Sequence, residues 1–500
     1  MRVLSLFCTL LFLTQYLSAQ LSVDPVFTNN MVLQRNKPLH FFGKGIPGQK
    51  VNVSFARENK SVLISADSNW AIQFGAQREN NLPQQALISC GKERITLNNI
   101  LIGDVWLCFG QSNMEWPMKS EAHYSSDENY LNNNIRFFNP LYAGKGFYGS
   151  TFSDSVIEHF STKPFLSNQF WTICDNSSIK EFSAVAYYFA NKVYQQTGVP
   201  QGLINLGVGG APIETFIDIN TLKANSVFSA KADGNWLYNN RLPVWVRERG
   251  LQNVGKANGI PTDELGPDHP FKPGLMFKNA ISHFTSFPLK GFLFYQGESN
   301  AQEKDRVNEY AALMQLLVND YRKQWKNDKL PFYFVQLSSI DTLKYKGQLW
   351  GVFRNEQRIA NALIPNSGMA VTSDIGDRND VHPRNKKDVG ERLARWALHQ
   401  FYGKKIVPSG PMPLSAKFQN GKVKVFFKYA DGLKISKGGR LHGFSFDGNN
   451  EIAATIKKDY IEIITANKPE FVYYAWKSFS DGNLVNLLDL PTSTFKLKVD

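Results

Sequence analysis

Cysteine is scarce in this chain of 500 residues, and its scarcity limits what can hold the protein together. Of the 4 cysteines, Cys8 lies in an N-terminal segment that we expect to be removed, so Cys90, Cys108 and Cys174 can form at most one disulfide. Stability must therefore come from hydrophobic cores. The 8 histidines are dispersed, and no Cys/His cluster has the spacing of metal ligands, so the sequence predicts no zinc site.

Long hydrophobic runs are also missing. After the first 19 residues, no stretch approaches the ~20 apolar residues of a membrane-spanning helix. Residues 1–19 themselves combine Arg2, an apolar run over residues 3–13 and a Leu-Ser-Ala ending, which is typical of a secretory signal. We therefore expect an exported, soluble protein, periplasmic or secreted, whose mature chain starts at Gln20.

The balance of charge is positive but not concentrated. The chain has 56 Lys and Arg residues against 43 Asp and Glu residues, a net charge of +13, which would suit a nucleic acid or an anionic substrate. The basic residues are scattered, however, and the longest basic runs are the Lys-Lys pairs at residues 386–387 and 404–405. This pattern favours a solvated basic surface, and we predict no nucleic-acid partner.

The hydrophobic pattern divides the mature chain into three parts. Residues 20–99 show short alternating segments broken by turns, typical of a small antiparallel β domain. Over residues 100–400 buried strands alternate with amphipathic helices, which predicts an α/β fold with a doubly wound parallel sheet. Within this part, residues 220–271 lack clear periodicity and are predicted to be an insertion that either shapes a pocket or is disordered. Residues 401–500 revert to strands, so we predict β-sandwich-like domains on both flanks.

Several elements of the central part are specific enough to name. Strands are predicted at residues 105–109, 202–206, 291–295, 331–335 and 368–372. A helical stripe of Phe182, Val185, Phe189 and Val193 is predicted to end at Gly198. The first three strands run into polar, glycine-bearing segments. Because ligands bind at the carboxyl ends of parallel strands, we expect these segments to meet at the functional site.

Ser112 is the candidate nucleophile. It follows the buried strand at residues 105–109, and Gly110 between them permits a sharp turn that a Cβ would hinder. A helix starting at this point would direct free N–H groups towards the same place and could hold an oxyanion. Taken alone, the Gly-Gln-Ser-Asn sequence is equally compatible with a polar turn after a core strand.

His382 is the candidate general base, because it lies in a polar loop between a predicted strand and a predicted helix. Asp380 is the candidate partner that would accept the Nδ1 proton and keep the imidazole in the working tautomer. The predicted catalytic set is therefore Ser112, His382 and Asp380. A loop histidine can also be merely solvated, and Asp380 could be a charge at a helix N-terminus or on the surface.

Serine hydrolysis also needs donors for the oxyanion of the tetrahedral intermediate. The candidates are the backbone N–H of Ser112, the N–H of Gly209 or Gly210, and a side-chain amide of Gln296 or Asn300. A glycine pair after a strand can equally be a simple tight turn.

Four blocks of sequence follow predicted strands or lie in loops: Gly-Gln-Ser-Asn-Met-Glu-Trp-Pro (110–117), Gly-Gly-Ala-Pro-Ile-Glu (209–214), Tyr-Gln-Gly-Glu-Ser-Asn-Ala (295–301) and Asp-Val-His-Pro-Arg-Asn-Lys (380–386). Together and in this order they resemble the blocks of the SGNH-type sialate O-acetylesterases. Residues 182–189, 354–357 and 473–491 are also similar to that family, so the resemblance covers nearly all the mature chain. The third block adds Glu298 to the predicted oxyanion and substrate-binding set.

The resemblance implies an SGNH-hydrolase-like sheet and the hydrolysis of O-acetyl esters on sialic acids. Ser112 would form an acetyl-enzyme and His382 would activate water, with no cofactor or metal. This chain departs from the family's sequence pattern in two places. The superfamily usually has Asp three residues before the histidine, where this chain has Asn379, so a backbone carbonyl or another acid could replace Asp380. Gly207-Val208 stands where relatives generally carry Ser-Trp, and Ala211 where they often carry Thr, so the resemblance leaves the shape of the pocket, and hence the substrate, open.

Two alternatives stay open at this point. Related SGNH esterases that deacetylate plant polysaccharides such as xylan have the same Gln-Ser-Asn and Gln-Gly-Glu blocks, so acetylated xylan is an alternative substrate. A glycan-binding protein with an inert hydrolase domain is an alternative of another class. The sequence predicts no oligomeric state.

Overall fold

The structure is a computed structural model that describes residues 20–343, 345–436 and 438–500. The predicted signal at residues 1–19 lies outside the described residues. The strands are β1 (Ser22–Val23), β2 (Val32–Gln34), β3 (Leu39–Lys44), β4 (Lys50–Phe55), β5 (Glu58–Leu63), β6 (Asn69–Phe74), β7 (Asn80–Cys90), β8 (Glu93–Gly110), β9 (Asn132–Phe138), β10 (Leu141–Tyr142), β11 (Leu166–Ser167), β12 (Trp171–Cys174), β13 (Gln201–Gly207), β14 (Thr262–Asp263), β15 (Gly266–Pro267), β16 (Gly291–Tyr295), β17 (Phe332–Val335), β18 (Ser367–Ala370), β19 (Met412–Gln419), β20 (Lys422–Lys428), β21 (Lys434–Ile435), β22 (Phe444–Ser445), β23 (Thr455–Ile456), β24 (Tyr460–Ile464), β25 (Phe471–Tyr474), β26 (Leu484–Val485) and β27 (Phe495–Lys498).

The helices lie mainly between the strands of the central part. They are α1 (Ser112–Glu115), α2 (Asp154–Thr162), α3 (Ala184–Thr197), α4 (Ile219–Ala224), α5 (Val244–Val254), α6 (Leu275–Asn279), α7 (Lys304–Asn308), α8 (Tyr310–Gln324), α9 (Trp350–Leu363) and α10 (Lys387–Gln400). Short 3-10 helices occur at Met118–Ser120, Ile213–Phe216, Ser229–Ala232, Ile281–Phe284 and Ser373–Ile375.

The central sheet has the strand order β12-β9-β13-β8-β16-β17-β18. Its strands from β9 to β18 pair in parallel, and β12 joins β9 antiparallel at the edge. Strands such as β13 and β16 are buried along their whole length, because helices cover both faces of a parallel sheet. The mixed α/β organisation is thus confirmed, and four of the five named strands match to within two residues at each end. The strand predicted at residues 105–109 is only the last part of β8, which begins at Glu93.

Helices pack on both faces of this sheet. Trp106 and Phe109 lie three residues apart on β8, so their side chains point to opposite faces. Trp106 packs against Phe189 of α3, with ring centroids 4.9 Å apart, and Phe109 packs against Tyr321 of α8 at 5.3 Å. Helix α3 also ends as predicted, because Gly198 takes the left-handed conformation with φ 70°.

Strand β8 joins the N-terminal part to the central part. Its first half pairs antiparallel with β7, and its second half pairs in parallel with β13 and β16. The boundary predicted between residues 99 and 100 therefore falls inside one strand. One hydrophobic core includes buried residues from Leu21 to Met412, so these two parts also share their core.

The last part of the chain has a core of its own, formed by buried residues between Ala416 and Val499. Around it lie the antiparallel sheets β19-β20-β24-β23 and β22-β25-β27. Buried Arg354 of α9 connects this part to the central one, because its guanidinium donates to the backbone oxygens of Ala475 (2.9 Å) and Ser478 (3.0 Å). The sandwich-like form of the flanking parts stays a prediction.

The predicted insertion at residues 220–271 contributes no strand to the central sheet, since β14 and β15 pair only with each other among the described strands. It does contain helix α5, which the hydrophobic pattern did not indicate. The face that α5 buries includes Gly250, where a Cβ would collide with Trp236. A helix that packs through a glycine presents little apolar periodicity, so the sequence carried only a weak signal for it.

Cys90, Cys108 and Cys174 are all buried and free, so the one disulfide that the sequence allowed does not form among them. Within the described residues, no helix has the length and apolar character needed to cross a membrane.

Candidate active site

Ser112 lies where the central strand β8 ends and the short helix α1 begins. The turn between them depends on Gly110, whose φ is 132° and where a Cβ would collide with the carbonyl oxygen of Tyr295. Strand β16, which carries Tyr295, pairs directly with β8. Glycine at position 110 therefore lets the chain leave the sheet close to its neighbouring strand and present Ser112 at the carboxyl edge.

His382 meets Ser112 at this edge, with its Nε2 atom 2.8 Å from Ser112 Oγ. Its imidazole stacks on the indole of Trp116, with ring centroids 5.3 Å apart and an interplanar angle of 21°. Burial lowers the pKa of His382 below its ordinary value, while Asp380 raises it and Lys386 lowers it. The imidazole is therefore neutral near pH 7, as a base that accepts the serine proton must be.

Asp380 lies close to the other ring nitrogen, as predicted from its position two residues before the histidine. Its Oδ1 atom is 3.2 Å from His382 Nδ1 and also accepts the backbone N–H of His382 at 2.8 Å. The Asp380 side chain is 52% exposed and the His382 side chain 30% exposed. The three predicted catalytic side chains are thus brought together. The Asp380 carboxylate is partly exposed to solvent, and its Oδ1 atom makes both contacts with His382.

Asn113, the residue after Ser112, was not among the predicted site residues. Its side-chain amide donates to the backbone oxygen of Val381 at 3.0 Å and to the carboxylate of Glu298, and its Oδ1 accepts from the ammonium of Lys386. Asn113 is buried. It therefore ties the segment that carries the serine to the loop that carries the histidine, and its place inside the first motif was the only signal in the sequence.

Lys386 is buried behind the site. Its ammonium lies 5.3 Å from the centroid of the Trp116 ring and 5.6 Å from that of Tyr295. Burial lowers the pKa of Lys386 to about 7, whereas Glu298 and Asp380 raise it. Burial also raises the pKa of Glu298. Glu298 is accordingly a buried partner of Asn113 and Lys386, and it is absent from the wall of the active-site cavity.

Gly209 and Gly210 both lie in the wall of the cavity that Ser112 and His382 share. The N–H of Gly209 donates to Glu115 Oε2 at 2.7 Å, and the other oxygen of Glu115 pairs with Lys145 at 3.0 Å. Gly210 has φ 76°. The predicted oxyanion donor at Gly209 thus lies in the cavity wall, but its N–H is bonded to a carboxylate.

Gln296 and Asn300, predicted as amide donors to the oxyanion, are buried and engaged elsewhere. The amide of Gln296 donates to Asn300 Oδ1 at 2.7 Å and its Oε1 accepts from Tyr310 at 2.7 Å, while the amide of Asn300 donates to Glu214 Oε2 at 3.0 Å. Neither residue lines the cavity. This differs from the prediction, because both amides hold the segment under the site and do not face the substrate.

Gln111, immediately before Ser112, also has a structural role that was not predicted from the sequence. Its Oε1 accepts the backbone N–H groups of Gly297 (3.4 Å) and Ser299 (3.3 Å). The hydroxyl of Ser299 in turn donates to the oxygen of Gly210 at 2.8 Å. The three polar segments that follow β8, β13 and β16 are therefore bonded to one another, as expected for the carboxyl edge of a parallel sheet.

The cavity above these segments has a volume of about 540 Å³. Its wall is formed by Gln111, Ser112, Glu115, Trp116, Pro117, Lys145, Gly146, Tyr148, Glu181, Gly209, Gly210, Trp245, Arg249, Ser299, Tyr345, Val381 and His382. Trp245 and Arg249 come from α5, so the insertion contributes to the wall of this cavity. No group of three or more His, Cys, Asp or Glu side chains in the described parts of the chain is arranged to hold a metal ion.

Comparisons with known proteins show what this chain is similar to. The model of a carbohydrate esterase family, sialic acid-specific acetylesterase, matches residues 272–399. Sialate O-acetylesterase of Homo sapiens is 26% identical over 442 residues, covering 82% of this chain and 76% of the human protein. The enzyme of the same name from Mus musculus is 27% identical over 419 residues, covering 77% of this chain and 74% of the mouse protein.

The chain is therefore similar to sialate O-acetylesterases over most of its length, and these similarities identify it as a carbohydrate esterase. It is also similar to the crystal structure of a carbohydrate acetylesterase from Xanthomonas citri, with a TM-score of 0.76 and 26% identity, covering 95% of this chain and 99% of that one. The segment matched by the family model contains Glu298, Asp380 and His382, while Ser112 lies upstream of it.

Proposed function

We propose that this protein removes O-acetyl groups from sialic acids through an acetyl-enzyme formed on Ser112. The observation that carries the proposal is the distance of 2.8 Å between Ser112 Oγ and His382 Nε2 at the wall of the cavity, in a chain that is similar to sialate O-acetylesterases over most of its length. Hydrogen-bonding distance between a nucleophile and a neutral base is what acyl transfer by serine requires. An inert glycan-binding protein would have no need of this pair.

In the first half of the reaction, Ser112 Oγ bonds to the carbonyl carbon of the acetyl ester while its proton passes to His382 Nε2. The imidazolium that forms keeps its Nδ1 proton and donates a hydrogen bond through it to the Asp380 carboxylate, which stabilises the positive charge. The bond between the carbonyl carbon and the sugar oxygen then breaks. The sugar oxygen takes the proton from Nε2 and the deacetylated sugar leaves.

In the second half, water attacks the acetyl-enzyme. Its proton passes to His382 Nε2 as its oxygen bonds to the carbonyl carbon, and the bond from that carbon to Ser112 Oγ breaks. Oγ recovers the proton from Nε2, and acetic acid leaves and ionises to acetate. Ser112, His382 and the protein as a whole return to their starting state.

The oxyanion would be held by backbone donors. The N–H of Ser112 belongs to the first turn of α1, where no intrahelical acceptor exists, so it can face the developing charge. The N–H of Gly209 is the second donor, and it becomes available when the Glu115 carboxylate moves from it. We propose that the anionic oxygen replaces the Glu115 carboxylate at Gly209, because both groups are anionic acceptors.

An acetate-release assay tests the proposal, with O-acetylated sialic acid and acetylated xylan as parallel substrates for the wild type. We expect release from the sialic acid. Release from xylan alone would replace the proposed substrate, and release from neither would contradict both substrate assignments.

The variants Ser112→Ala and His382→Asn test whether these two residues act as nucleophile and base. Each is expected to lower turnover by ~10³-fold or more, and the double variant should be no slower than the single ones, because the nucleophile and the base act as a unit. Neither change removes core volume, so thermal unfolding should match that of the wild type. More than a tenth of the wild-type rate in Ser112→Ala would exclude Ser112 as the nucleophile.

We also propose that the protein is exported and that residues 1–19 are removed. Mass spectrometry of the protein exported by its native host should then identify an N-terminal peptide that begins at Gln20. A peptide that retains the apolar run of residues 3–13 would contradict this.

A further inference from the structure

One charged side chain in the cavity wall, Arg249, has no partner of opposite charge among the described residues. Glu115 pairs with Lys145 at 3.0 Å, and Glu181 pairs with Lys119 at 2.5 Å. Arg249 is the remaining charged side chain in the wall apart from the catalytic histidine, and no carboxylate of the described residues lies within 4.0 Å of its guanidinium nitrogens. Its buried Nε atom also has no hydrogen-bond partner there. A cation with unused donors facing a cavity is suited to an anionic ligand.

The Arg249 side chain is held in place although it makes no ion pair. Its guanidinium lies 5.0 Å from the centroid of the Trp245 ring, and the indole N–H of Trp245 donates to Ser299 Oγ at 3.0 Å. Gly149 also lies close to the guanidinium, since a Cβ there would come within 2.7 Å of Arg249 Nη1. The aromatic ring and the glycine backbone thus orient the guanidinium, so that little rotational freedom is lost when it binds a ligand.

We infer that Arg249 binds the carboxylate of the substrate, so that this enzyme is selective for an acetylated sugar acid over a neutral acetylated sugar. The inference rests on the proposed function, because sialic acid carries a carboxylate and xylose does not. A planar guanidinium matches a carboxylate with two parallel hydrogen bonds. Trp245 connects Arg249 to Ser299, whose hydroxyl bonds to Gly210, so the anion site and the acetyl site are built on the same segments.

The experiment compares O-acetylated sialic acid with its methyl ester, which has the same sugar and acetyl group but no negative charge. Acetate release is measured for the wild type, Arg249→Gln and Arg247→Gln. Arg247 is the matched control, because it lies on α5 two residues earlier, also has a buried Nε without a partner among the described residues, and is absent from the cavity wall. Thermal unfolding shows that each variant is folded.

We expect the wild type to prefer the acid over the methyl ester by about 10- to 100-fold in kcat/KM, which is the usual range for a hydrogen bond to a charged group. Arg249→Gln should bring this ratio close to one, mainly by raising KM for the acid, and Arg247→Gln should keep the wild-type ratio. A ratio near one in the wild type, or an unchanged ratio in Arg249→Gln, would overturn the inference while leaving the proposed function in place. Failure of the wild type to release acetate from any O-acetylated sialic acid would overturn both.

Discussion

Replacing Asp380 with asparagine isolates the contribution of the acid beside His382. Asparagine has nearly the same shape, and its oxygen can still accept the backbone N–H of His382 that Asp380 Oδ1 accepts at 2.8 Å. The change removes the negative charge 3.2 Å from His382 Nδ1. It also offers an amide that can favour the wrong tautomer of the imidazole.

The size of the effect depends on how strongly solvent screens that charge. At 3.2 Å, two unit charges attract by about 1.3 kcal/mol in water and by about 5 kcal/mol at the effective dielectric constant of a protein surface. Because the Asp380 side chain is 52% exposed, the value should lie towards the lower end of this range. A loss of about 1.4 to 2.7 kcal/mol of transition-state stabilisation lowers turnover by about 10- to 100-fold. A fully buried acid would contribute up to about 10⁴-fold.

The pH dependence gives a second measurement with a defined sign. Asp380 raises the pKa of His382, against the larger opposing effect of burial. Removing its charge therefore lowers that pKa further, and the acid limb of the kcat/KM profile should move to lower pH. A merely structural role would lower the rate without moving the limb.

The assay is acetate release from a neutral acetyl ester across the pH range, with Asp377→Asn as the matched control. Asp377 lies in the same loop and accepts the backbone N–H groups of Asn379 (2.7 Å) and Asp380 (3.2 Å), which an asparagine oxygen can still accept. We expect the control to retain the wild-type rate and profile. An Asp380→Asn variant with unchanged turnover and an unmoved acid limb would refute the reasoning, and another group would then have to orient His382.

Two further predictions concern residues around the nucleophile. Lys386→Met should move the acid limb of the kcat/KM profile to higher pH, because Lys386 lowers the pKa of His382 and its removal favours the imidazolium. An acid limb that stays in place in the same assay would show that the charge of Lys386 does not affect the pKa of His382. Gly110→Ala should lower the free energy of unfolding by about 1–3 kcal/mol, because φ is 132° and the new Cβ would collide with the Tyr295 carbonyl. Urea denaturation measures the free energy of unfolding, and a decrease below about 0.5 kcal/mol would contradict this collision.

The sequence alone determined the features that depend on local pattern. The predicted strand at residues 291–295 matches β16 residue for residue, because a short apolar run between a lysine and a polar segment is compatible with few other structures. The approach of Asp380 to His382 could be anticipated only on the condition that the loop before Pro383 is extended, because side chains two residues apart then point the same way, whereas on a helical turn they diverge. The three polar segments were expected together because parallel strands end at one edge.

Tertiary structure decided what depends on side chains from distant segments. The Gly209 N–H was predicted as a free donor, but Glu115 accepts it. Gln296 and Asn300 were predicted to face the substrate, but their amides bond beneath the site. Arg249 lies on a helix with little apolar periodicity, so no local signal marked it. Whether a polar group is hydrogen-bonded or a charge is paired depends on which side chains lie next to it in three dimensions. For residues far apart in the chain, packing of the core decides this, and their spacing in the sequence does not.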